Sequence, residues 1–326
     1  MLVAGIDGGA TRTRAAVASG DGHLLGYGAA GPSNVDNVSV EEARSAIAAA
    51  VEQALAQAGF PDAQLDAAFF GMAGIVAAAD REVVLRLARQ IDRLHGSTIG
   101  IDHDIRIALA GAIPSDVGIV LIAGTGSSCY GRREDGLSHQ TGWGYLLDDE
   151  GSSFALGLEA MRAAVRDFDG RGTHTALTPL VLKHLGIASI PEILHALYHR
   201  RTSIPEIAAF APTVLELAAQ GDPIAYRCLR RGALELSRMV FTVAQRLGFL
   251  RSSVPVAMVG GLVESSPFYR AEIRRAVRER LPGAAFVDAS LPPVLGAVRL
   301  AFQSKGIQVT DDIHASLVAT RTLIEP

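Results

Sequence analysis

The chain has 326 residues, of which 49% are hydrophobic and 20% are charged, and its formal net charge at pH 7 is −4. This length exceeds the usual limit of a single hydrophobic core, so we expect two compact domains. Lysine and arginine are scattered along the chain, which argues against nucleic acid or a membrane surface as a partner. A small-molecule ligand is the better expectation.

The cysteines and the first residues of the chain indicate in which cellular compartment the protein works. Cys129 and Cys228 are far apart and form no C-x-x-C spacing, so neither a disulfide framework nor a zinc or iron–sulfur cage is indicated. A predicted strand follows Met1 almost at once, without a basic leader, and no apolar run is long enough to cross a bilayer. We therefore expect a cytoplasmic protein.

Along the chain, the periodicity of the apolar residues predicts the order βββαβαβ, which then restarts. The first unit comprises strands Leu2–Asp7, Arg14–Ser19 and Leu24–Gly28, helix Val40–Gln57, strand Ala67–Gly71, helix Asp80–Leu94 and strand Ser97–Asp102. The second comprises strands Val117–Ala123, Ser127–Arg132 and one near Leu137, then strand Val254–Val259, helix Pro267–Leu281 and strand Ala285–Val287. The sequence thus predicts a duplicated α/β unit.

Between the two halves of the second unit, Ser153–Arg251 has helical periodicity and almost no β signal. Its predicted helices are Leu156–Val165, Leu177–Leu185, Ile190–Tyr198, Ile204–Ala219 and Ala225–Leu247. No Pro/Gly/Ser linker isolates this segment, which favours an insertion over a separate helical domain.

A helix over Pro293–Lys305 is expected to pack back on the body, and the tail after Thr310 is unassigned. The predicted domains are 1–110, completed by the helix near 293–305, and 111–292 with the insertion 153–251.

Two glycine-rich segments each follow an apolar β-like run and lead into a second one. The predicted phosphate-binding residues are Gly8, Gly9, Ala10, Thr11 and Thr13 in the first, and Gly124, Thr125, Gly126 and Ser127 in the second. Glycines let backbone N–H groups approach a phosphate chain, and hydroxyls add donors. A pair of tight β-hairpins is the alternative interpretation. Recurrence of the segments about one domain apart favours one nucleotide held between two domains.

Seven motifs in order carry a resemblance to a known family. They are Asp7–Thr13, Gly31–Asn34, Gly71–Gly74, His103–Asp104, Ala123–Cys129, the stretch Gly142–Tyr145 with Asp148–Ser152, and Val259–Gly261. The sequence resembles the actin/hexokinase/heat-shock ATPase superfamily, and within it the N-acetylglucosamine kinase and BadF/BadG-type ATPase group. The resemblance implies two RNase-H-like (actin-like ATPase) domains closing on ATP·Mg²⁺ and a sugar in an interdomain cleft. It also implies adenosine at Gly260 and Gly261. A homodimer is a separate expectation.

Phosphoryl transfer to a sugar hydroxyl needs a carboxylate that orients the hydroxyl and accepts its proton. Asp104 is the candidate base, because it follows the strand Ser97–Asp102 and opens a helical run, at the sheet edge where open α/β folds bind ligands. The resemblance supports the choice, since the family has an Asn-Asp pair where this chain has His103-Asp104. A helix N-cap is the alternative for Asp104. Asp102 is the rival base, interpreted as structural.

Asp7 ends the first strand directly before the first glycine-rich loop. A carboxylate there can hold Mg²⁺ through the ion's water molecules. The alternative is an Asp that fixes its own turn through side-chain hydrogen bonds.

The sugar-binding residues come largely from the resemblance. Asn34 and Asp149 are the side-chain candidates, together with Asp104 and the backbone of Gly126, Ser128 and Gly142. Asn34 could equally form a turn, and Trp143 could stack on a sugar or serve as a core or loop anchor. Animal members of the family carry an aromatic residue shortly after the Asn, where this chain has Val35-Asp36-Asn37. An acid near the C2 substituent suits a free amine, which raises glucosamine beside N-acetylglucosamine as substrate.

Three functions follow as hypotheses. The leading one is an ATP-dependent kinase that transfers the γ-phosphate to a hydroxyl, the 6-OH, of N-acetylglucosamine or glucosamine. The second is an ATPase that activates a partner dehydratase or reductase, which would need paired cysteines for an iron–sulfur cluster. The third is a sugar-sensing regulator without catalysis, which would need a DNA-binding element, and none precedes the first strand.

Overall fold

A computed structural model describes residues 1–324 and divides the chain into two compact units. Unit 1 consists of Met1–Val117 and the segment from Asp288 onward, and unit 2 is Gly118–Val287. Unit 2 is therefore one continuous segment, whereas unit 1 is assembled from both ends of the chain.

Unit 1 is built on a five-stranded sheet. Its elements are β1 (Leu2–Gly8), β2 (Thr13–Ser19), β3 (Leu24–Ala30), α1 (Val40–Gln57), β4 (Ala67–Met72), α2 (Ala78–Ala88), β5 (Thr98–His103) and α3 (Asp104–Ala112). The strand order is β3-β2-β1-β4-β5, with antiparallel pairing from β1 to β3 and parallel pairing among β1, β4 and β5. The register places Asp7 beside Gly71, and Gly71 beside Asp102.

Unit 2 repeats this arrangement. Its elements are β6 (Gly118–Ala123), β7 (Ser127–Arg132), β8 (Ser138–Thr141), α4 (Ser153–Phe168), α5 (Leu177–Leu185), α6 (Ile204–Ala208), α7 (Ala211–Ala219), α8 (Pro223–Arg246), β9 (Val254–Val259), α9 (Gly261–Ser265), α10 (Pro267–Arg280) and β10 (Ala284–Val287). The order β10-β9-β6-β7-β8 again combines an antiparallel meander with parallel strands. Helices α4 to α8 lie between β8 and β9 in sequence.

The chain then returns to unit 1 with α11 (Pro293–Ser304) and α12 (Asp311–Thr320). Helix α11 packs on β1 and α3. A Cβ atom at Gly5 would collide with the backbone of Val294, so glycine is what lets this helix lie directly on β1. Val298 and Phe302 on α11 are completely buried. Helix α11 thus completes the core of unit 1.

The unit boundaries differ from the expected 110 and 292. Helix α3 runs on to Ala112, and the segment before α11 is hydrogen-bonded to its end. The N–H of Ser290 donates to Ala112 O at 3.3 Å, and the N–H of Leu291 donates to Gly111 O at 3.0 Å. These bonds tie residues 288–292 to unit 1.

Two helix predictions need correction, and the unassigned tail proves to contain a helix. The helix expected over Asp80–Leu94 ends at Ala88, and Ile91 has extended backbone before a short turn at Asp92–Leu94. The helix expected over Ile204–Ala219 is broken into α6 and α7, since Pro212 lacks an N–H and fits only the first turn of α7. The tail after Thr310 forms α12, whose first turn is capped by the Thr310 hydroxyl.

No single helix within residues 1–324 is long and apolar enough to span a membrane, although one bent pair, Leu177–Leu185 with Ile190–His199, passes on length and composition.

Candidate active site

Asp104 lies where β5 gives way to α3. The residue that caps α3 is His103, whose Nδ1 accepts a hydrogen bond from the N–H of Arg106 at 3.1 Å. The N-cap interpretation of Asp104 is therefore wrong. Asp104 occupies the first helical position, and its Oδ1 accepts from the N–H of Ile105 at 2.8 Å. Its carboxylate remains at the carboxyl edge of the parallel strands.

The electrostatics of Asp104 suit a general base. Burial, together with the nearby charge of Asp7, raises the pKa of Asp104 to about 6. A base with this pKa is largely ionised at neutral pH and still has appreciable affinity for a proton. Strongly shifted carboxylates of this kind concentrate at functional sites.

Asp102, the rival base, is engaged elsewhere. Its Oδ1 accepts from Arg81 at 2.6 Å and from the N–H of His103 at 2.9 Å. These two contacts occupy Oδ1 of Asp102 and hold its carboxylate against α2 and the start of α3. The structure thus favours Asp104 over Asp102.

Asp7 is the last residue but one of the central strand β1, and its Oδ2 accepts a hydrogen bond from Arg14 at 3.1 Å. Burial raises the pKa of Asp7, and the Arg14 guanidinium partly offsets this. No group of three or more acidic, His or Cys side chains within residues 1–324 could hold a metal. One carboxylate nevertheless fits Mg²⁺ bound with a nucleotide, because the ion takes its other ligands from phosphates and water.

Sequence reasoning missed Arg14, although the hairpin register could have found it. Residues opposite each other across an antiparallel pair interact, and Arg14 is directly opposite Asp7.

The first glycine-rich segment is the turn of the β1–β2 hairpin, so the hairpin interpretation also holds. Gly9, Ala10 and Thr11 lie at its accessible tip, where the N–H of Gly9 donates to Arg12 O at 3.0 Å. Thr13 is completely buried. Its hydroxyl donates to Gly31 O at 2.7 Å and contacts Ser33 Oγ at 2.8 Å. The expectation that Thr13 binds phosphate is therefore wrong, because its hydroxyl holds the base of the loop.

Gly8 is likewise buried at the base of this loop. A Cβ atom at Gly8 would stand 2.6 Å from Ser33 Oγ and would also collide with the side chain of Met72. Packing beneath the loop therefore requires glycine here, whereas the tip of the loop is accessible.

The second glycine-rich segment joins β6 to β7 and supports the start of α4. The N–H of Ser153 donates to Gly124 O at 2.8 Å, and the N–H of Phe154 donates to Thr125 O at 3.1 Å. Ser127 is buried, and its hydroxyl donates to Glu150 O at 2.9 Å. The Ser127 hydroxyl is thus used internally, whereas Thr125 is exposed at the tip.

Gly260 and Gly261 follow β9 beside the second segment. Gly260 has φ 108°, and a Cβ there would stand 2.6 Å from Ala123 O. Its N–H donates to Glu264 Oε1 at 2.9 Å. Unit 2 thus brings its two predicted nucleotide elements together.

Asn34 and Asp36 are neighbours in unit 1. Asn34 is buried and forms a turn, its Oδ1 accepting from the N–H of Asp36 at 2.9 Å. A Cβ at Gly74, which has φ 86°, would stand 2.6 Å from both Asn34 Oδ1 and Asp36 Oδ2. The turn interpretation of Asn34 is therefore seen, and it brings the Asp36 carboxylate beside the Asn34 amide.

The candidate sugar residues of unit 2 also cluster. Asp149 has φ 61°, and its Oδ1 accepts from the N–H of Ser127 at 2.9 Å. A Cβ at Gly126 would stand 2.8 Å from Asp149 Oδ2, and one at Gly142 would stand 2.7 Å from the Ser128 Cβ. Burial raises the pKa of Asp149.

Trp143, after Gly142, is 61% exposed. An indole this exposed is not a core anchor, so the core part of that alternative is wrong. A loop anchor and stacking on a sugar stay predictions.

Comparison with known proteins places this geometry in a family. The family model of the BadF/BadG/BcrA/BcrD ATPases matches residues 4–301. The chain belongs to the BadF/BadG/BcrA/BcrD ATPase family. It is 30% identical over 300 residues to an N-acetylmuramic acid/N-acetylglucosamine kinase from Clostridium acetobutylicum, covering 92% of this chain and 97% of that one. It is 27% identical over 241 residues to a glucosamine kinase from Vibrio cholerae, covering 73% and 79% of the two chains.

A solved structure of a candidate N-acetylglucosamine kinase from Chromobacterium violaceum superposes with a TM-score of 0.74 at 28% identity, covering 92% of this chain and 98% of that one. Membership of the BadF/BadG/BcrA/BcrD ATPase family and this fold likeness confirm the predicted α/β class with two RNase-H-like units.

Proposed function

We propose that the protein is an ATP-dependent amino-sugar kinase. It transfers the γ-phosphate of ATP, with Mg²⁺, to the 6-hydroxyl of glucosamine or N-acetylglucosamine. The observation that carries the proposal is Asp104, a partly buried carboxylate with pKa raised to about 6 at the edge of a parallel sheet. The names of the two sugar-kinase relatives support it.

In the proposed reaction Asp104 Oδ2 accepts the proton of the sugar hydroxyl while oxygen attacks the γ-phosphorus and the bond to ADP breaks. Phosphoryl transfer depends mainly on positioning and on charge stabilisation. Mg²⁺ neutralises phosphate charge when bound, and Asp7 is the side chain that would orient its water ligands. The backbone N–H groups at the tips of the two glycine-rich loops are suited to the phosphates.

For the sugar, the proposed side-chain partners are Asn34 and Asp149. Carboxylate oxygens accept from several hydroxyls, and an amide adds two donors. The contacts of Asn34 with Asp36, and of Asp149 with Ser127, fix both side chains before a substrate arrives. Preorganisation of this kind lowers the entropy lost on binding.

A coupled assay of ADP release over a hexose panel tests the proposal. With Mg²⁺ present, ATP turnover should rise strongly on adding glucosamine or N-acetylglucosamine and should be lost when the ion is chelated. If no hexosamine raises the rate of ATP turnover but an iron–sulfur partner protein does, the activator function would be shown instead.

The cysteines disfavour that activator function. Cys129 is completely buried in β7, and burial also raises the pKa of Cys228 on α8 to about 11. Buried thiols of raised pKa are poor metal ligands because the thiolate is the binding form.

The homodimer and the cytoplasmic location remain predictions, for which sedimentation and cell fractionation are the tests.

A further inference from the structure

Unit 2 contains a groove outside the candidate active site, formed by α4, α8 and the loop after α4. This groove has a volume of about 480 Å³. Its charged lining residues are Glu159 and Arg166 on α4, Arg171 on the loop, and Arg227 and Arg231 on α8. It includes none of the candidate active-site residues. The groove therefore needs a separate explanation.

The groove carries more positive than negative charge. Glu159 is paired with Arg162 at 2.6 Å and with Arg231 at 3.5 Å. Arg171 is held by the Asp169 carboxylate, with contacts at 2.8 Å and 2.6 Å.

Arg166 and Arg227 differ from these arginines. Within residues 1–324 neither guanidinium makes a hydrogen bond or an ion pair closer than 4.0 Å, although the hydrogen bond from Arg171 and, more weakly, the charge of Arg166 lower the pKa of Asp169. Two cationic groups of one groove thus have their donors free for an anion.

Guanidinium is the side-chain group whose planar fork matches a phosphate best. A volume of several hundred Å³ is typical of sites for small molecules, and this groove is larger than a bare phosphate ion. The hydroxyl of Thr173, which also lines the groove, is a further donor.

We propose that the groove between α4 and α8 binds a small organic phosphate monoester, whose phosphate is held by Arg166 and Arg227. The organic part occupies the remaining space beside Glu159 and Thr173. Because these residues are remote in sequence from both glycine-rich loops, the inference does not depend on the proposed kinase activity.

Isothermal titration calorimetry of the full chain tests the groove. The probes are glucosamine 6-phosphate, inorganic phosphate and glucosamine. All are titrated with excess glucosamine and a non-hydrolysable ATP analogue present, so that any site for those ligands is filled. The groove variant is Arg166→Gln/Arg227→Gln. The charge-matched control is Arg230→Gln/Arg246→Gln, at two exposed positions on α8 outside the groove.

We expect the monoester to bind the wild type and the control alike and to bind the groove variant at least about tenfold more weakly, since guanidinium–phosphate bonds are charge-assisted. Circular dichroism establishes that the variants are folded. Equal affinity in groove variant and wild type would overturn the proposal, as would absence of monoester binding at millimolar concentration. Inorganic phosphate that binds as tightly as the ester would also overturn it, because the organic part would then contribute nothing.

Discussion

Asp104 combines geometry and proton affinity in one side chain, and its substitution tests the proposed chemistry. Asp104→Asn keeps the shape and an acceptor for the Ile105 N–H but removes the proton acceptor. We expect kcat to fall by about two to four orders of magnitude, whereas the sugar KM changes much less. Steady-state ADP release measures both. Normal turnover in this variant, with a large loss in Asp102→Asn, would transfer the proton-accepting step to Asp102.

The raised pKa of Asp104 also predicts that Asp104→Asn, which lowers activity, makes the folded protein more stable. The folded state binds the proton more tightly than the unfolded state, so stability is lost as pH rises from about 3.8 to about 6. At pH 8 the buried charge costs on the order of 1–3 kcal/mol, and Asp104→Asn removes this cost. Urea unfolding at pH 8 should show the variant as more stable than wild type, with a smaller difference at pH 5. A less stable variant at pH 8 would contradict the buried-charge account.

Asp36 is the residue at which substrate choice is tested. Its carboxylate lies beside the Asn34 amide and Gly74, where it would attract a protonated amine. Asp36→Ala should lower kcat/KM for glucosamine selectively, by about 1 kcal/mol for an exposed pair, and the effect should weaken with salt. Asn34→Ala should instead damage both sugars. A ratio of the two specificity constants that Asp36→Ala leaves unchanged would remove Asp36 from substrate choice.

At the scale of elements, helix α3 is held by buried charges. Arg106 makes a two-pronged ion pair with Asp116, both contacts at 2.6 Å, and both side chains are 8% exposed. Arg299 of α11 donates to the carbonyls of Ala110, Ile113 and Pro114 at the end of α3. These contacts fix the helix that begins with the proposed base.

Removing one partner of this pair should be costly. Arg106→Leu leaves a buried carboxylate without its main partner and should lower the free energy of unfolding by about 3–5 kcal/mol. Adding Asp116→Asn should restore part of the loss, since asparagine tolerates the φ of 56° at this position. Arg93→Leu, at the exposed pair with Asp62, is the control and should cost less than about 1 kcal/mol. Equal losses at both sites would refute the importance of burial.

Local patterns predicted most elements, and tertiary contacts account for the rest. Helix α1 and strand β9 have the predicted bounds, because apolar periodicity and the Ser39 cap are local signals. The break after Ala88 was missed because Ile91 and Leu94 are also buried in the core and continue the apolar pattern beyond the helix. The helix at 311–320 was missed although its Thr310 cap is a local signal.

The candidate site shows the same division between local and tertiary information. Asp104 could be placed at a strand end from sequence. By contrast, its pKa depends on burial and on Asp7, which is about a hundred positions away in the chain. The internal bond of Thr13 to Ser33 likewise depends on a fold that brings separate segments together.

At the scale of the whole molecule, unit 1 needs both ends of the chain. Leu295, Val298 and Phe302 of α11 are fully buried in its core, whereas unit 2 is continuous from Gly118 to Val287. During translation, residues 1–117 therefore cannot complete their core until α11 has been synthesised. Unit 2 can fold before unit 1. The amino-terminal segment would spend most of translation as a client for chaperones.

Chains truncated after Val287 and released from the ribosome make this order measurable. Brief protease treatment should leave the segment 118–287 intact and digest residues 1–117, whereas full-length chains should resist throughout. Equal resistance of the two segments in the truncated chain would mean that unit 1 folds without α11. Slow translation of the codons that precede α11 would then lengthen the time for which residues 1–117 are exposed to proteases.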